Sequence, residues 1–251
     1  MLVPMISLER HGALAVATLG RPPVNAIDEA FLEGLERTLA TLESEAETAV
    51  LLLRSSQKAF CAGADLELMR SRFDSAEGRA RMVAFAREMQ RVYVRLERLP
   101  CVTLAEIGGA AMGGGLELAL ACDLRIASEQ ARLGLPEPRL GLVPGAGGTQ
   151  RLPRIAGEAV ARRLILGAEV ITGAQAVVLG VVHWAVPAGE LAARARSIAG
   201  DIAMLPAAAL AAAKRCLGAA DGYERELEAT GELLAQEETR RRVRAFFEER
   251  T

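Results

Sequence analysis

Residues 113–123 read GGGLELALACD, a run of three glycines placed directly before a short apolar helix. Glycines at a helix start leave backbone N–H groups uncovered, and the helix dipole favours an anion there. The helix carries one acid, Glu117, and a second acid follows twenty positions later in the segment Pro136–Glu137–Pro138. Backbone donors aimed at a developing negative charge, with two carboxylates near them in sequence, predict an active site.

Each of the two acids also has an ordinary structural role to be weighed. Glu117 is flanked by leucines, so we expect it to be partly buried; its alternative role, an interaction with the helix N-terminus, is worth only about 0.3–1 kcal/mol. Glu137 lies between two prolines whose fixed φ angles hold its side chain in a defined direction, and its alternative role is a surface turn. Together with amide-rich loops, the two acids match the acid/base pair expected of enolate chemistry.

Two further loops are rich in small residues. Residues 59–66 read AFCAGADL after a predicted strand, and a ligand could approach that backbone closely, although a plain tight turn would look the same. Residues 142–151 read LVPGAGGTQR, which matches neither a P-loop nor a dinucleotide fingerprint with its ribose-binding acid. The sequence therefore gives no support to nucleotide hydrolysis or hydride transfer, and we expect the last loop to close the wall of the pocket.

The composition narrows the class of protein. The chain has 251 residues, of which 51% are hydrophobic and 25% charged, with a formal net charge of −2. This predicts a soluble globular protein, and the sequence has neither an apolar run of bilayer length nor a basic field for nucleic acid or anionic lipid. We therefore expect no membrane or nucleic-acid partner. The first ten residues lack the layout of a secretory signal, which favours the cytoplasm.

The cysteines and histidines do not suggest a metal site. Four scattered cysteines form no Cys-x-x-Cys pair, and only His11 and His183 could supply imidazole ligands. We expect no bound metal and interpret the cysteines as small, reduced core residues. His183 and Trp184 lie in a predicted strand over 181–186, where a packing role is favoured over catalysis.

Hydrophobic periodicity predicts an α/β architecture. A hairpin is expected in residues 1–20, a helix capped by Asp28 after it, strands at 49–53, 101–107 and 123–127, and a helix over 78–99 with an apolar stripe. Strands that alternate with helices indicate crossover connections. Beyond Gly157 the composition shifts toward alanine, arginine and glutamate, which predicts helices near 157–167, 188–200, 206–220 and 223–250.

The pieces that carry the predicted chemistry strongly resemble the enoyl-CoA hydratase/isomerase (crotonase) superfamily. They are RPPVNA at 21–26, residues 59–66, 109–123 and 135–152, in family order and spacing, with weaker similarity through ITGAQA at 171–176 to VRAFF at 243–247. The resemblance implies a crotonase-like (ClpP/crotonase) spiral of repeated β-β-α units. It also implies a core domain over 1–195, a helical oligomerisation region over 196–251, and a homotrimer or dimer of trimers.

The resemblance further implies an acyl-CoA thioester as substrate, with no separate cofactor because coenzyme A is part of that substrate. Carried over by position, the backbone N–H groups of Ala64 and Gly114 would form an oxyanion hole for the thioester oxygen. Glu117 and Glu137 fall on the two acidic positions that distinguish hydratases from relatives with only one. The residues implied to lie along the substrate are Ala62, Asp65, Leu66 and Gly113.

The negative charge that would develop on the thioester oxygen suggests which reaction these groups catalyse. Two donors on the carbonyl make C3 of a 2-trans-enoyl thioester electrophilic, and we expect Glu117 to deprotonate a water while Glu137 protonates C2, giving a 3-hydroxyacyl-CoA. A double-bond isomerase of the same fold needs only one base, so two acids favour the hydratase. A CoA-binding or oligomer-forming protein without catalysis is the alternative from another class.

Several positions depart from the family pattern, mostly where CoA phosphates would bind. Gly108 replaces a usual polar residue, Glu67 stands where lysine is frequent, and Pro23 occupies a position that is basic in some relatives. Glu249 falls near a common C-terminal lysine. The cations that could substitute, or could equally be solvated surface charges, are Arg21, Lys58 and Arg250.

Overall fold

The computed structural model describes residues 5–248, so the predictions made for Glu249 and Arg250 lie outside the described residues. Strands β1–β9 comprise Ile6–His11, Leu14–Leu19, Val50–Ser55, Val102–Ile107, Ala111–Met112, Leu124–Ser128, Arg132–Gly134, Val170–Thr172 and Trp184–Val186. Helices α1–α11 comprise Glu29–Glu43, Leu66–Arg70, Ala76–Glu97, Gly114–Leu120, Gly148–Ala156, Glu158–Leu166, Gly173–Val178, Leu191–Ala203, Ala207–Cys216, Gly222–Leu234 and Glu237–Glu248.

The main sheet has six strands in the order β1-β2-β3-β4-β6-β9. Strands β1 and β2 pair antiparallel from Ile6 opposite Leu19 to His11 opposite Leu14, so the predicted hairpin is confirmed. Every other pair in this sheet is parallel, which requires the helical crossovers that the strand and helix pattern predicted. A smaller sheet, in the order β5-β7-β8, lies beside the glycine run.

The parallel sheet is covered on both faces. Along β2, Ala15 and Ala17 face the larger hydrophobic core, which also holds the apolar stripes of α1 and α3, while Leu14 and Val16 face a second core. Alternation of this kind follows from the two-residue period of a strand. It explains why β3 is a nearly continuous apolar run, since neither of its faces meets water.

Most predicted helices are confirmed, and one is not continuous. Asp28 caps α1, its carboxylate accepting from the Phe31 N–H at 2.8 Å, as the sequence suggested. The prediction of a single helix over 223–250 is wrong, because α10 ends at Leu234 and α11 begins at Glu237. No glycine or proline marks this break. The Arg240 guanidinium donates to the Ala235 carbonyl at 2.8 Å and so satisfies a carbonyl that the helix no longer uses.

The C-terminal helices are joined to the core by charge as well as by packing. The Lys214 ammonium, on α9, lies 2.6 Å from an Asp123 carboxylate oxygen, which also accepts from the Thr103 N–H at 2.7 Å. Helix α8 packs Leu191 and Ile198 into the second core. The predicted domain boundary between residues 195 and 196 falls inside α8, and the division into domains stays a prediction.

Within residues 5–248 no single helix is long and apolar enough to cross a bilayer. Helices α8 and α9, which meet at a 97° bend, satisfy the test together by length and composition.

A buried asparagine fixes the loop that follows β2. Asn25, fully buried at a positive φ of 54°, accepts from the Arg21 N–H at 2.8 Å. Its side-chain N–H groups donate to the Ser55 hydroxyl at 2.8 Å and the Phe60 carbonyl at 2.9 Å. One side chain therefore ties the loop over 21–26 to the loop over 59–66, the two segments that the sequence marked separately.

Replacing Asn25 with alanine should destabilise the protein. The change leaves the buried Phe60 carbonyl without its donor, so we expect the free energy of unfolding to fall by about 1–3 kcal/mol. Urea denaturation at fixed protein concentration measures this. Gln57→Ala is the control, since among residues 5–248 that amide donates only to the Ser56 hydroxyl, at 3.3 Å on the surface. Equal losses in the two variants would contradict the anchoring role of Asn25.

Candidate active site

Two loops that follow neighbouring parallel strands lie side by side. The loop over 59–65 comes after β3, and the segment of β5 and the glycine run comes after β4. The Cys61 N–H donates to the Ala110 carbonyl at 3.1 Å, and the Met112 N–H donates to the Cys61 carbonyl at 3.1 Å. The two loops are therefore hydrogen-bonded to each other as strands would be.

Small residues make this close approach possible. Gly63 has a φ of 95°, and a Cβ there would lie 2.8 Å from the Met112 carbonyl oxygen. A Cβ on Gly115 would lie 2.1 Å from the Cys61 carbonyl oxygen. Any side chain at either position would force the loops apart, so the glycines set the distance between the backbones.

The close approach leaves two backbone amides free at one place. The amides of Ala62, Asp65 and Gly113 donate to backbone carbonyls at 2.9–3.0 Å. Within residues 5–248, the N–H groups of Ala64 and Gly114 donate to none, and Gly114 is the first residue of α4, whose early N–H groups have no partner in the helix. Both residues line one cavity, and a Cβ on Gly114 would lie 3.6 Å from the Ala64 nitrogen, so the two backbones are close neighbours there. This proximity supports the expectation that both N–H groups bind one oxygen atom.

The cavity has a volume of about 640 Å³ and a mostly apolar wall. Helices α2 and α3 supply much of that wall. Four of the chain's seven methionines line the cavity, together with Phe85 of α3. These methionines are Met69, Met82, Met89 and Met112. Flexible thioether side chains of this kind adapt to apolar ligands of different shapes.

Glu117 lies in this cavity with 2% of its surface exposed. One of its oxygens, Oε1, accepts from the Ala146 N–H at 2.8 Å and the Gly148 N–H at 2.7 Å. Burial raises the pKa of Glu117, while these N–H groups and the charge of Arg151 oppose the rise. The loop over 142–151, predicted only to close the pocket wall, also fixes this carboxylate.

Glu137 borders the same cavity in a different environment. It begins the 3₁₀ turn Glu137–Leu140, and its Oε1 would lie 2.9 Å from a Cβ on Gly113, so it packs against the glycine run. Its Oε2 is buried and has no hydrogen-bond partner among residues 5–248. Burial raises the pKa of Glu137 to about 7, and the charge of Glu117 acts in the same direction.

Of the four positions expected along a substrate, three line the cavity and one does not. Ala62, Leu66 and Gly113 belong to the wall. The Asp65 carboxylate instead caps α2, accepting from the Glu67 N–H at 2.9 Å, and receives a bond from Arg21 at 3.0 Å. A substrate contact at Asp65 stays a prediction, and its side chain is already bound within the protein.

The cations suggested as phosphate ligands differ in availability. The Arg21 guanidinium lies 2.9 Å from the Asp28 carboxylate and donates to the Ala26 carbonyl at 2.8 Å, in addition to its bond with Asp65. It is therefore engaged in holding two loops together. Lys58 is exposed, and Arg250 lies outside the described residues.

Two residues of the site were not identified from the sequence. The Tyr93 hydroxyl, fully buried, donates to the Gly114 carbonyl at 2.9 Å and so orients the start of α4. Arg151, 4% exposed, lies behind the loop that holds Glu117. Tyr93 lies on the apolar stripe of α3, which predicts a packing role for its ring. The polar hydroxyl on that stripe is the sequence feature that could have indicated a buried hydrogen bond.

Together these groups can carry out one kind of chemistry. Two free N–H groups can hold a carbonyl oxygen as it gains negative charge, and two carboxyl groups with raised pKa values can take and give protons beside it. Within residues 5–248 no three histidine, cysteine or acidic side chains are grouped so as to hold a metal ion.

Comparison with known proteins agrees with this chemistry. A family model described as enoyl-CoA hydratase/isomerase matches residues 9–251. The chain is 38% identical over 252 residues to the probable enoyl-CoA hydratase of Bacillus subtilis, covering 98% of this chain and 96% of that protein. It is 36% identical over 253 residues to the short-chain-enoyl-CoA hydratase of Clostridium acetobutylicum, with 98% and 95% covered.

The fold of this chain is also similar to folds of solved crystal structures. The crystal structure of enoyl-CoA hydratase from Bacillus anthracis superposes with a TM-score of 0.91 at 34% sequence identity. The superposition covers 98% of this chain and 96% of that one.

Proposed function

Since the chain belongs to the enoyl-CoA hydratase/isomerase family, we propose that it adds water across the double bond of a 2-trans-enoyl-CoA to give a 3-hydroxyacyl-CoA. The predicted crotonase-like fold is confirmed by the solved relatives. The observation that carries the proposal is that two free amides and two acids with raised pKa values meet in one apolar cavity.

The thioester oxygen binds between Ala64 and Gly114 in this proposal. Water attack at C3 moves an electron pair toward that oxygen and forms an enolate, whose charge the two N–H groups stabilise. Removing one donor of such a pair typically lowers the rate by about 10²–10³. The apolar wall strengthens the effect, because charge interactions are stronger where water is excluded.

The surroundings of the two acids give them different roles. Glu117 has one oxygen held by two N–H groups, which favours its carboxylate form and leaves the other oxygen to take a proton from water. Glu137 has a pKa of about 7 and so retains a proton near neutral pH for delivery to C2. Water loses one proton to Glu117, its oxygen bonds C3, and C2 gains a proton from Glu137. Proton exchange with solvent then restores both acids.

The acyl tail is expected to lie along the wall formed by α2 and α3. That wall is apolar, and its methionines can move aside for chains of different length. Coenzyme A enters as part of the substrate, so we propose no separate cofactor.

The setting of the enzyme is also part of the proposal. The C-terminal region exposes large apolar side chains, with Leu217 81% exposed just after α9 and Tyr223 and Leu227 82% and 76% exposed on α10, which supports the expected homotrimer or dimer of trimers. All four cysteines are unpaired, as is usual for proteins of a reducing compartment, which supports the cytoplasm.

Double-bond isomerisation is the second candidate within the same family. Moving a double bond needs only one base to carry a proton between two carbons. Glu117 and Glu137 both border the cavity here, and the second acid favours hydration. A non-catalytic role would leave unexplained the buried Glu117 and the half-buried Glu137, whose Oε2 has no partner among residues 5–248.

Replacing either acid with glutamine tests the roles. Glu117→Gln and Glu137→Gln should each lower kcat for crotonyl-CoA by about 10²–10⁴, with KM changed little, because only proton transfer is removed. Loss of the conjugated absorbance measures hydration, and gain of absorbance with a 3-enoyl-CoA measures isomerisation. Glu158→Gln, at an exposed position, is the control. Unchanged turnover in both variants would reject the assignment, and turnover of the 3-enoyl substrate alone would favour the isomerase.

The pH dependence tests the division of labour. Since Glu137 must be protonated to donate and its pKa is about 7, kcat/KM should fall tenfold per pH unit above about pH 7. Glu137→Gln should remove this alkaline limb from the residual activity. A rate that rises from pH 7 to 9 would show that Glu137 acts as a base instead.

A further inference from the structure

A buried arginine lies directly behind the loop that holds Glu117. Arg151, on α5, has 4% of its side chain exposed. Its Nη1 donates to the Ala146 carbonyl at 2.9 Å, while its Nη2 and Nε donate to one Glu97 carboxylate oxygen at 2.9 and 3.1 Å. Burying a guanidinium is costly unless its partners compensate, so its position here calls for an explanation.

The loop is shaped around this guanidinium. Gly147, between the two residues that donate to Glu117, has a φ of 109°, and a Cβ there would lie 2.2 Å from Arg151 Nη1. The peptide group joining Ala146 to Gly147 therefore has the arginine on its carbonyl side, and the flanking amides face Glu117. The arginine therefore holds in place the peptide group that lies between the two donors, and this fixes the orientation of both donors toward the carboxylate.

We propose that Arg151 is a positioning residue for the hydration reaction: it holds the Ala146–Gly148 loop against Glu117 and favours the ionised form of that carboxylate. Arg151 lies behind the cavity wall and so does not itself contact the substrate. Glu97, half-exposed at the end of α3, fixes the outer edge of the guanidinium. This inference rests on the proposed function, because it assigns Glu117 the role of base.

The other charges around Glu117 are consistent with this role. Glu137 faces it from the 3₁₀ turn and Tyr93 from α3, and both are neutral in their protonated forms. Arg151 is the cation whose charge opposes the burial of Glu117. Removing that charge should raise the pKa of Glu117, and since the base must be ionised, the acidic limb of the rate profile should move to higher pH.

The test compares variants at position 151 and its partner. Arg151→Met should lower kcat for crotonyl-CoA by about 10- to 100-fold, the scale expected when a catalytic group is displaced, with KM within about twofold. The acidic limb of kcat/KM should move up by about one pH unit. Arg151→Lys retains the positive charge and should leave the acidic limb of kcat/KM near its wild-type pH. Glu97→Gln keeps Arg151 itself, so it should move the acidic limb less than Arg151→Met does.

Arg154→Met is the matched control, since Arg154 lies on the same helix, is 66% exposed and reaches the same Glu97 at 3.9 Å. It should leave both kcat and the limb unchanged. If Arg151→Met and Glu97→Gln lower kcat but leave the acidic limb in place, Arg151 is only a structural anchor and the proposal is overturned.

A second readout does not depend on turnover. With glutamate labelled by ¹³C at the carboxyl carbon and Glu117 assigned through Glu117→Gln, its titration midpoint should rise in Arg151→Met. A rise in a protein that hydrates no enoyl-CoA would reject the proposed function and keep the electrostatic role. An unmoved midpoint in an active enzyme would overturn the role of Arg151 and keep the function.

Discussion

The contact between two backbone segments determines the rest of this site. The loop after β3 and the glycine run after β4 lie so close that a Cβ on Gly63 or Gly115 would overlap a carbonyl of the opposite segment. Ala64 and Gly114 line one cavity at this contact, and their N–H groups have no backbone acceptor among residues 5–248. A packed parallel sheet can hold two such loops at a fixed separation, because neighbouring strands end at the same edge.

The cavity then distinguishes two carboxyl groups by their surroundings. Burial raises the pKa of both, but only Glu117 receives two backbone N–H groups and a nearby arginine charge. Burial raises the pKa of Glu137 to about 7, the charge of Glu117 adds to the rise, and its buried Oε2 has no hydrogen-bond partner in residues 5–248. The proposed base and the proposed acid are thus the same residue type, and they differ in how far hydrogen bonds and charge offset the effect of burial.

The sequence was informative wherever the signal is local. The hairpin, the Asp28 cap, the strands and the placing of Glu117 in a glycine-headed helix all follow from neighbouring residues. The partners of Glu117 could not be predicted this way, because Ala146 and Gly148 lie about thirty positions further along the chain. The break between α10 and α11 was missed because the two residues between the helices, Ala235 and Gln236, are not helix breakers, although the capping side chain of Arg240 is only five positions beyond Ala235. Strand β9 is shorter than predicted, because the N–H groups of Val181 and Val182 donate to the Ala176 carbonyl of α7, at 2.9 and 3.3 Å, rather than to a neighbouring strand.

The central claim is that two backbone N–H groups hold the thioester oxygen. Its most direct test is the infrared band of butanoyl-CoA labelled with ¹³C at the thioester carbonyl, a saturated ligand that cannot be hydrated, when it is bound to the wild-type protein. The account predicts a band at lower frequency than that of the same thioester in water, because two N–H groups on the oxygen weaken the C=O bond. A band at or above the frequency in water would mean a carbonyl in an apolar cavity without donors, and it would contradict the account.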